Sequence, residues 1–134
     1  MGIHSIPGTG YKYSLGGVNF DDFSQVKMLT LDNTTTTSFK TLHCPGSTDY
    51  AVPGGKALIA FLFLVYNQDS GMVGRIGESG TADQSITKNV IKAANGTDKP
   101  SMEEVFGVFA ENTYVTASDY LKSGTVLYGI EVDA

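Results

Sequence analysis

The longest apolar run in the chain is Ala57-Leu58-Ile59-Ala60-Phe61-Leu62-Phe63-Leu64-Val65-Tyr66, and the chain enters it through the turn Val52-Pro53-Gly54-Gly55-Lys56. Ten residues fall far short of the roughly 20 that a helix needs to cross a bilayer, and a Pro-Gly-Gly entry ahead of aromatic and branched residues predicts a buried strand. A strand sends successive side chains to opposite faces, so apolar residues at every position require both faces to be covered. An antiparallel sheet normally leaves one face to water, and the second face of this strand is therefore expected to meet another layer or another subunit.

Short apolar segments separated by Gly, Thr, Ser, Asn and Asp fill the rest of the chain, a spacing that predicts an all-β sandwich or barrel over alternating βαβ units. Strands are expected at 11–18, 25–31, 37–42, 56–66, 72–76, 85–93, 105–110, 113–117 and 125–132. In the last of these, Val126, Tyr128, Ile130 and Val132 share one face while Leu127, Gly129, Glu131 and Asp133 share the other, which predicts a strand with one wet face. The 85–93 segment also shows helical spacing at Ile86, Val90 and Ala94, but is assigned as strand. Ser101-Met102-Glu103-Glu104 resembles a helix start, with Ser as cap and acids in the first turn, so a single helical turn is expected before the strand at 105–110.

Length and charge narrow the picture. A chain of 134 residues fits one domain, 1–134, large enough to bury a core without disulfide or metal. Charged residues make up only 17% of it, a sparse supply that favours burial in an oligomer. The net charge is −5 and the nine Lys and Arg are scattered singly, which argues against nucleic acid and anionic membrane as partners. Residues 1–10, MGIHSIPGTG, lack a basic patch followed by an apolar core, so no secretory signal is expected there; Pro7 and the glycines suggest an extended N-terminal arm reaching a neighbouring subunit. Without evidence of secretion, the sequons at Asn33 and Asn95 read as turns.

Candidate chemistry is thin. Cys44 is the only cysteine and reads as a small buried apolar residue, and the only histidines are His4 and His43. His43 and Cys44 are neighbours whose side chains point apart on an extended chain, so they do not form a catalytic dyad. Asn67, Asp69 and Glu78 share part of a calcium-loop spacing, but Gly71 and Met72 occupy its diagnostic positions; Asp21 and Asp22 read as a solvated turn. Nothing pairs any two of Glu78, Glu103, Glu104, Glu111 and Glu131 across a cleft, and Gly8-Thr9-Gly10 lacks phosphate-loop spacing. No catalytic, cofactor-binding or metal-ligating residue is assigned, and no cofactor is expected. Seven tyrosines without Trp supply interface anchors or sugar-stacking platforms; Tyr11, Tyr13 and Phe20 are the interface candidates.

Two passages carry a family resemblance. Tyr50-Ala51-Val52-Pro53-Gly54-Gly55-Lys56-Ala57-Leu58-Ile59 resembles the "V-P-A-G-K plus apolar strand" opening of small jelly-roll virion proteins of bacterial viruses, with a second glycine where that opening has Ala. Asn112-Thr113-Tyr114-Val115-Thr116-Ala117, with Ser123-Gly124-Thr125-Val126-Leu127-Tyr128-Gly129-Ile130-Glu131, is similar to their closing pair of strands. The resemblance implies a jelly-roll-like antiparallel β-sandwich of about eight strands, non-enzymatic and located in the virion. It also implies assembly as a trimer or pentamer in a capsid decoration, vertex or attachment role, with the major capsid protein as a further partner. Tumour-necrosis-factor-like trimers end in a comparable strand. The alternative reading is a carbohydrate- or receptor-binding β-sandwich module.

Overall fold

The computed structural model describes residues 4–5, 13–15, 18–31, 38–47, 49–66, 73–94 and 101–134. In chain order these form β1 (His4–Ser5), β2 (Tyr13–Leu15), β3 (Val18–Phe20), a 3-10 turn (Phe23–Gln25), β4 (Val26–Thr30), β5 (Lys40–Thr41), β6 (Lys56–Val65), β7 (Val73–Ser79), β8 (Lys88–Ala94), β9 (Ser101–Phe109), β10 (Tyr114–Ala117) and β11 (Val126–Asp133). Strands β4 to β11 make two antiparallel four-stranded sheets, in the orders β4-β11-β6-β9 and β5-β10-β7-β8. The pairing is nested: β4 lies with β11, β5 with β10, β6 with β9 and β7 with β8. A long hairpin whose paired strands fall alternately into two facing sheets is a jelly roll, and the eight-stranded sandwich is the expected fold class.

Between the sheets lies one apolar core that includes Leu29, Leu42, Leu58, Phe63, Val65, Ile76, Phe109, Val115 and Leu127. Each such side chain contributes about 1.5–3 kcal/mol relative to an exposed one. The turn into β6 closes with the Lys56 amide donating to the Pro53 carbonyl at 3.1 Å, and Gly55 stands at φ +76, a conformation that L side chains rarely adopt.

Strand β6 departs from strict alternation. Its register skips a residue between Ala60 and Leu62 against β11, and is also irregular there against β9, which makes Phe61 the extra residue of a β-bulge. As a result Leu58 and Ala60 before the bulge, and Phe63 and Val65 after it, all reach the sandwich core, while Ile59, Phe61 and Leu62 pack on the outer side. Strict alternation through the run would set Ile59, Phe61 and Phe63 on one face and Leu58, Leu62 and Leu64 on the other, and this switch of parity corrects it.

The outer face is met by another layer of the same chain. Strands β1, β2 and β3 form a small antiparallel sheet, and Val18 and Phe20 are buried in a second cluster with Phe61 and Ile130. His4 pairs with Ser14 and Ser5 with Tyr13, so this part of the 1–10 arm lies on its own chain. The single strand expected at 11–18 is two strands, β2 and β3, with Leu15 opposite Val18; Tyr11 and the Gly16-Gly17 pair fall outside the described residues. The expected wet face of β11 is also corrected: Leu127 is buried in the main core and Ile130 under the N-terminal layer.

Ser101-Met102-Glu103-Glu104 is strand and not a helical turn, because Ser101, Met102, Glu103 and Glu104 sit opposite Val65, Leu64, Phe63 and Leu62 of β6. Cross-strand pairing outweighs the local capping signal. Of the ambiguous 85–93 segment, residues 88–93 are strand, within β8, and 85–87 precede it as irregular chain.

Candidate functional site

Two surfaces stand out: the uncovered part of an apolar sheet face, and a polar cleft at its other side. The first begins with β9, whose Gly107 and Phe109 are buried and whose Met102, Glu104, Phe106 and Val108 alternate outward. A Cβ on Gly107 would stand 2.5 Å from Val90 Cγ1 of β8, which fixes the opposite row as the one facing away from the sandwich. Met102 is 57% exposed, Phe106 71% and Val108 43%. They continue the outer row of β6, since Val108 pairs with Ile59 and Met102 with Leu64. The N-terminal sheet packs on Ile130, Phe61 and their neighbours and leaves this flank bare.

The cleft, of about 700 Å³, lies where the 3-10 turn meets the end of β11 and the start of β6; its lining includes Asp21, Asp22, Gln25, Lys27, Glu131 and Asp133. Its side chains are largely committed to one another. Asp22 caps the turn, accepting from the Ser24 amide at 2.9 Å, while Gln25 Oε1 accepts from the Asp22 amide at 3.1 Å in a capping box. Gln25 Nε2 donates to the Glu131 carbonyl at 3.0 Å. Lys56 Nζ donates to Asp133 Oδ1 at 2.6 Å, which holds the Asp133 carboxyl below its usual range and the Lys56 ammonium above its own. Phe23, between the lining residues Asp22 and Ser24 in sequence, is half exposed and lies 4.4 Å from the Tyr13 ring between centroids.

Beside the cleft, Tyr50 Oη donates to Glu131 Oε2 at 2.7 Å. Burial, and then this hydrogen bond, push the Tyr50 phenol well above its ordinary range. Burial likewise raises the Cys44 thiol, with Lys27 opposing, so the sulfur stays protonated at neutral pH and is a poor nucleophile. His43 Nδ1 faces the Cys44 carbonyl oxygen at 3.0 Å and not the thiol. A carbonyl only accepts, so Nδ1 carries the proton. Glu78 is buried and accepts from the Ala110 amide at 2.7 Å, bracing the β9–β10 connection; Asn67 and Asp69 lie outside the described residues. Among the described residues no three His, Cys, Asp or Glu side chains gather into a metal-holding group.

Of the interface candidates, Tyr11 is outside the described residues. Phe20 has no exposed surface, and half-buried Tyr13 lies 5.5 Å from it between ring centroids. These two rings fasten the N-terminal layer to the sheet, so Phe20 has no surface to offer a second chain. The exposed row Met102, Phe106 and Val108 was missed from sequence, although alternation through 101–109 signals it once the helical turn is discarded. The Tyr50–Glu131 pair, 81 residues apart, leaves no local signal.

No protein-family model, curated protein or solved structure matches this chain.

Proposed function

We propose that this protein is a non-enzymatic structural protein that assembles with copies of itself, and that the assembly belongs to a virion as a capsid decoration, vertex or spike-base component. The exposed apolar row Met102, Phe106 and Val108, continuous with the outer side of β6, carries the assembly. An exposed apolar row of this kind, interrupted only by Glu104, supplies the large apolar side chains of an interface core. The jelly-roll strand order supports the virion setting, as this architecture recurs in viral capsid proteins. Rings of three or five copies, seated on a major capsid protein, are the arrangement that the sequence resemblance implies.

Sedimentation equilibrium of the purified chain tests the assembly. A mass that is a multiple of 14.2 kDa is expected, and a monomer alone at roughly 100 µM, a load that detects any association tighter than about −5 kcal/mol, refutes it. Peptides of this chain in purified virus particles test the setting.

A carbohydrate-binding role is the second reading, favoured by the exposed Phe23 ring beside a cleft lined by acids and amides. Glycan-array binding that is lost on Phe23→Ala would establish it.

A further inference from the structure

We infer that two copies of this chain join edge to edge through β9, related by a two-fold axis at Val105, so that the sheets β4-β11-β6-β9 of both copies become one continuous sheet. This deepens the assembly proposed above and rests on it. The edges of the two sheets are β4, β9, β5 and β8. Edge strands present unpaired N–H and C=O groups, and proteins that avoid edge pairing keep the strand short or place charges along it, lysine above all. Three of the four edges follow that rule: β4 carries Lys27, β5 is two residues long and carries Lys40, and β8 carries Lys88 and Lys92. Strand β9 is the longest of the four, with nine residues, Ser101-Met102-Glu103-Glu104-Val105-Phe106-Gly107-Val108-Phe109; it has neither Lys nor Pro, and its charges are the two adjacent glutamates, which any paired register must keep apart.

The occupant follows from the register. Two β9 strands related by a perpendicular two-fold axis run antiparallel, and their outward rows fall on the same face only when a residue stands opposite its own copy. With Val105 at the axis all nine residues of β9 pair. Met102 then stands opposite the second copy's Val108, Glu104 opposite Phe106, and Glu103 opposite Gly107, with no acid facing an acid. Moving the axis to Glu104 or to Glu103 shortens the overlap and sets a glutamate directly against its copy, which is destabilising. The two glutamates thus exclude registers centred on the first half of β9, and those centred on Phe106 or Gly107 lose paired residues, which leaves the Val105 register as the longest without an acid against an acid. That register also gives Phe106 and Met102, the two most exposed large apolar side chains among the described residues, cross-strand neighbours on the same face. Where copies already form rings of three or five, the same contact joins one ring to the next.

The test is a charge cycle at an exposed position. In this register residue 106 faces Glu104 of the other copy twice per dimer. Phe106→Glu is therefore expected to dissociate about tenfold more readily than Phe106→Lys at low salt, two pairs changing from repulsive to attractive. The difference should vanish in a Glu104→Gln background, which separates the facing pair from overall charge. Sedimentation equilibrium reads the dissociation constants, and unchanged circular dichroism shows that folding is intact. Equal dissociation of the two variants, a difference that survives Glu104→Gln, or a wild type made solely of trimers or pentamers overturns β9 pairing while leaving self-assembly standing. A wild type that is monomeric throughout overturns both.

Discussion

Gly77 marks a close approach of β7 to β8, and its substitution tests that geometry. The register of the pair shifts between Ile76 and Gly77, next to Glu78 opposite Lys88. A Cβ at Gly77 would lie 2.4 Å from the Lys88 carbonyl oxygen and 2.3 Å from Ile86 Cγ2. Ile86 can rotate away, but the Lys88 carbonyl belongs to the backbone of β8, so Gly77→Ala must push the strands apart. Overpacking of this kind costs about 1–3 kcal/mol. The strain falls beside the Glu78 carbonyl, which accepts from both the Thr87 amide at 2.8 Å and Thr87 Oγ1 at 2.9 Å. Losing one of those bonds adds about 0.5–1.5 kcal/mol.

The expected total, roughly 2–4 kcal/mol, is a large share of the 5–15 kcal/mol typical of a domain. Gly80→Ala is the control, because a Cβ there meets nothing within 4 Å and the backbone is outside the left-handed region. It should be neutral or stabilise by about 0.4–1 kcal/mol through the unfolded chain. Urea denaturation reads both, with midpoints compared at constant slope. A Gly77→Ala midpoint within error of wild type, or equal losses at the two positions, would refute the close approach.

Phe63→Ala should cost about 3–5 kcal/mol, since Phe63 is fully buried in the main core; an unchanged urea midpoint would contradict the parity switch at the bulge. Tyr50 and Cys44 both have raised pKa values in the folded state, so their contributions are complete at neutral pH. Those contributions are lost as pH rises above their unfolded values of 10.0 and 9.0. Each deprotonation then weakens folding by up to about 1.4 kcal/mol per pH unit. Tyr50→Phe should flatten the alkaline loss above pH 10 and lower stability at pH 7 by about 1–3 kcal/mol as Glu131 loses its donor; thermal melts from pH 7 to 11 check both, and an identical alkaline slope in the variant would remove Tyr50 as its source.

How far the fold was legible depended on what each segment's pattern encodes. The run at β6 announced a strand with two covered faces, and the chain supplies the second cover itself through Val18 and Phe20. The bulge at Phe61 was invisible because a run that is apolar at every position carries no alternation from which a slip of parity could be read. At Ser101 a local cap signal competed with pairing to β6, and the tertiary contact won. The capping box that does form, Asp22-Phe23-Ser24-Gln25, has the required three-residue spacing and was legible in principle. The cleft was not, because Glu131, Lys56 and Gln25 come together only when distant strands pair.

Electrostatics supply a separate check on how copies associate. A chain of net charge −5 repels its copies, and the outward row of β9 adds Glu104 to that repulsion. If association rests on Met102, Phe106 and Val108, its attraction is apolar and indifferent to screening, whereas the repulsion between like charges is screened. Salt should then tighten the assembly: between about 0.05 and 0.5 M the screening length falls from roughly 14 Å to 4 Å, below the spacing of charges on neighbouring copies. Association held by ion pairs would respond in the opposite direction, loosening as salt rises. Sedimentation equilibrium across that range decides between them. A dissociation constant that increases with sodium chloride would remove the apolar β9 row from the contact and place the interface on the lysine-bearing edges of β4, β5 or β8.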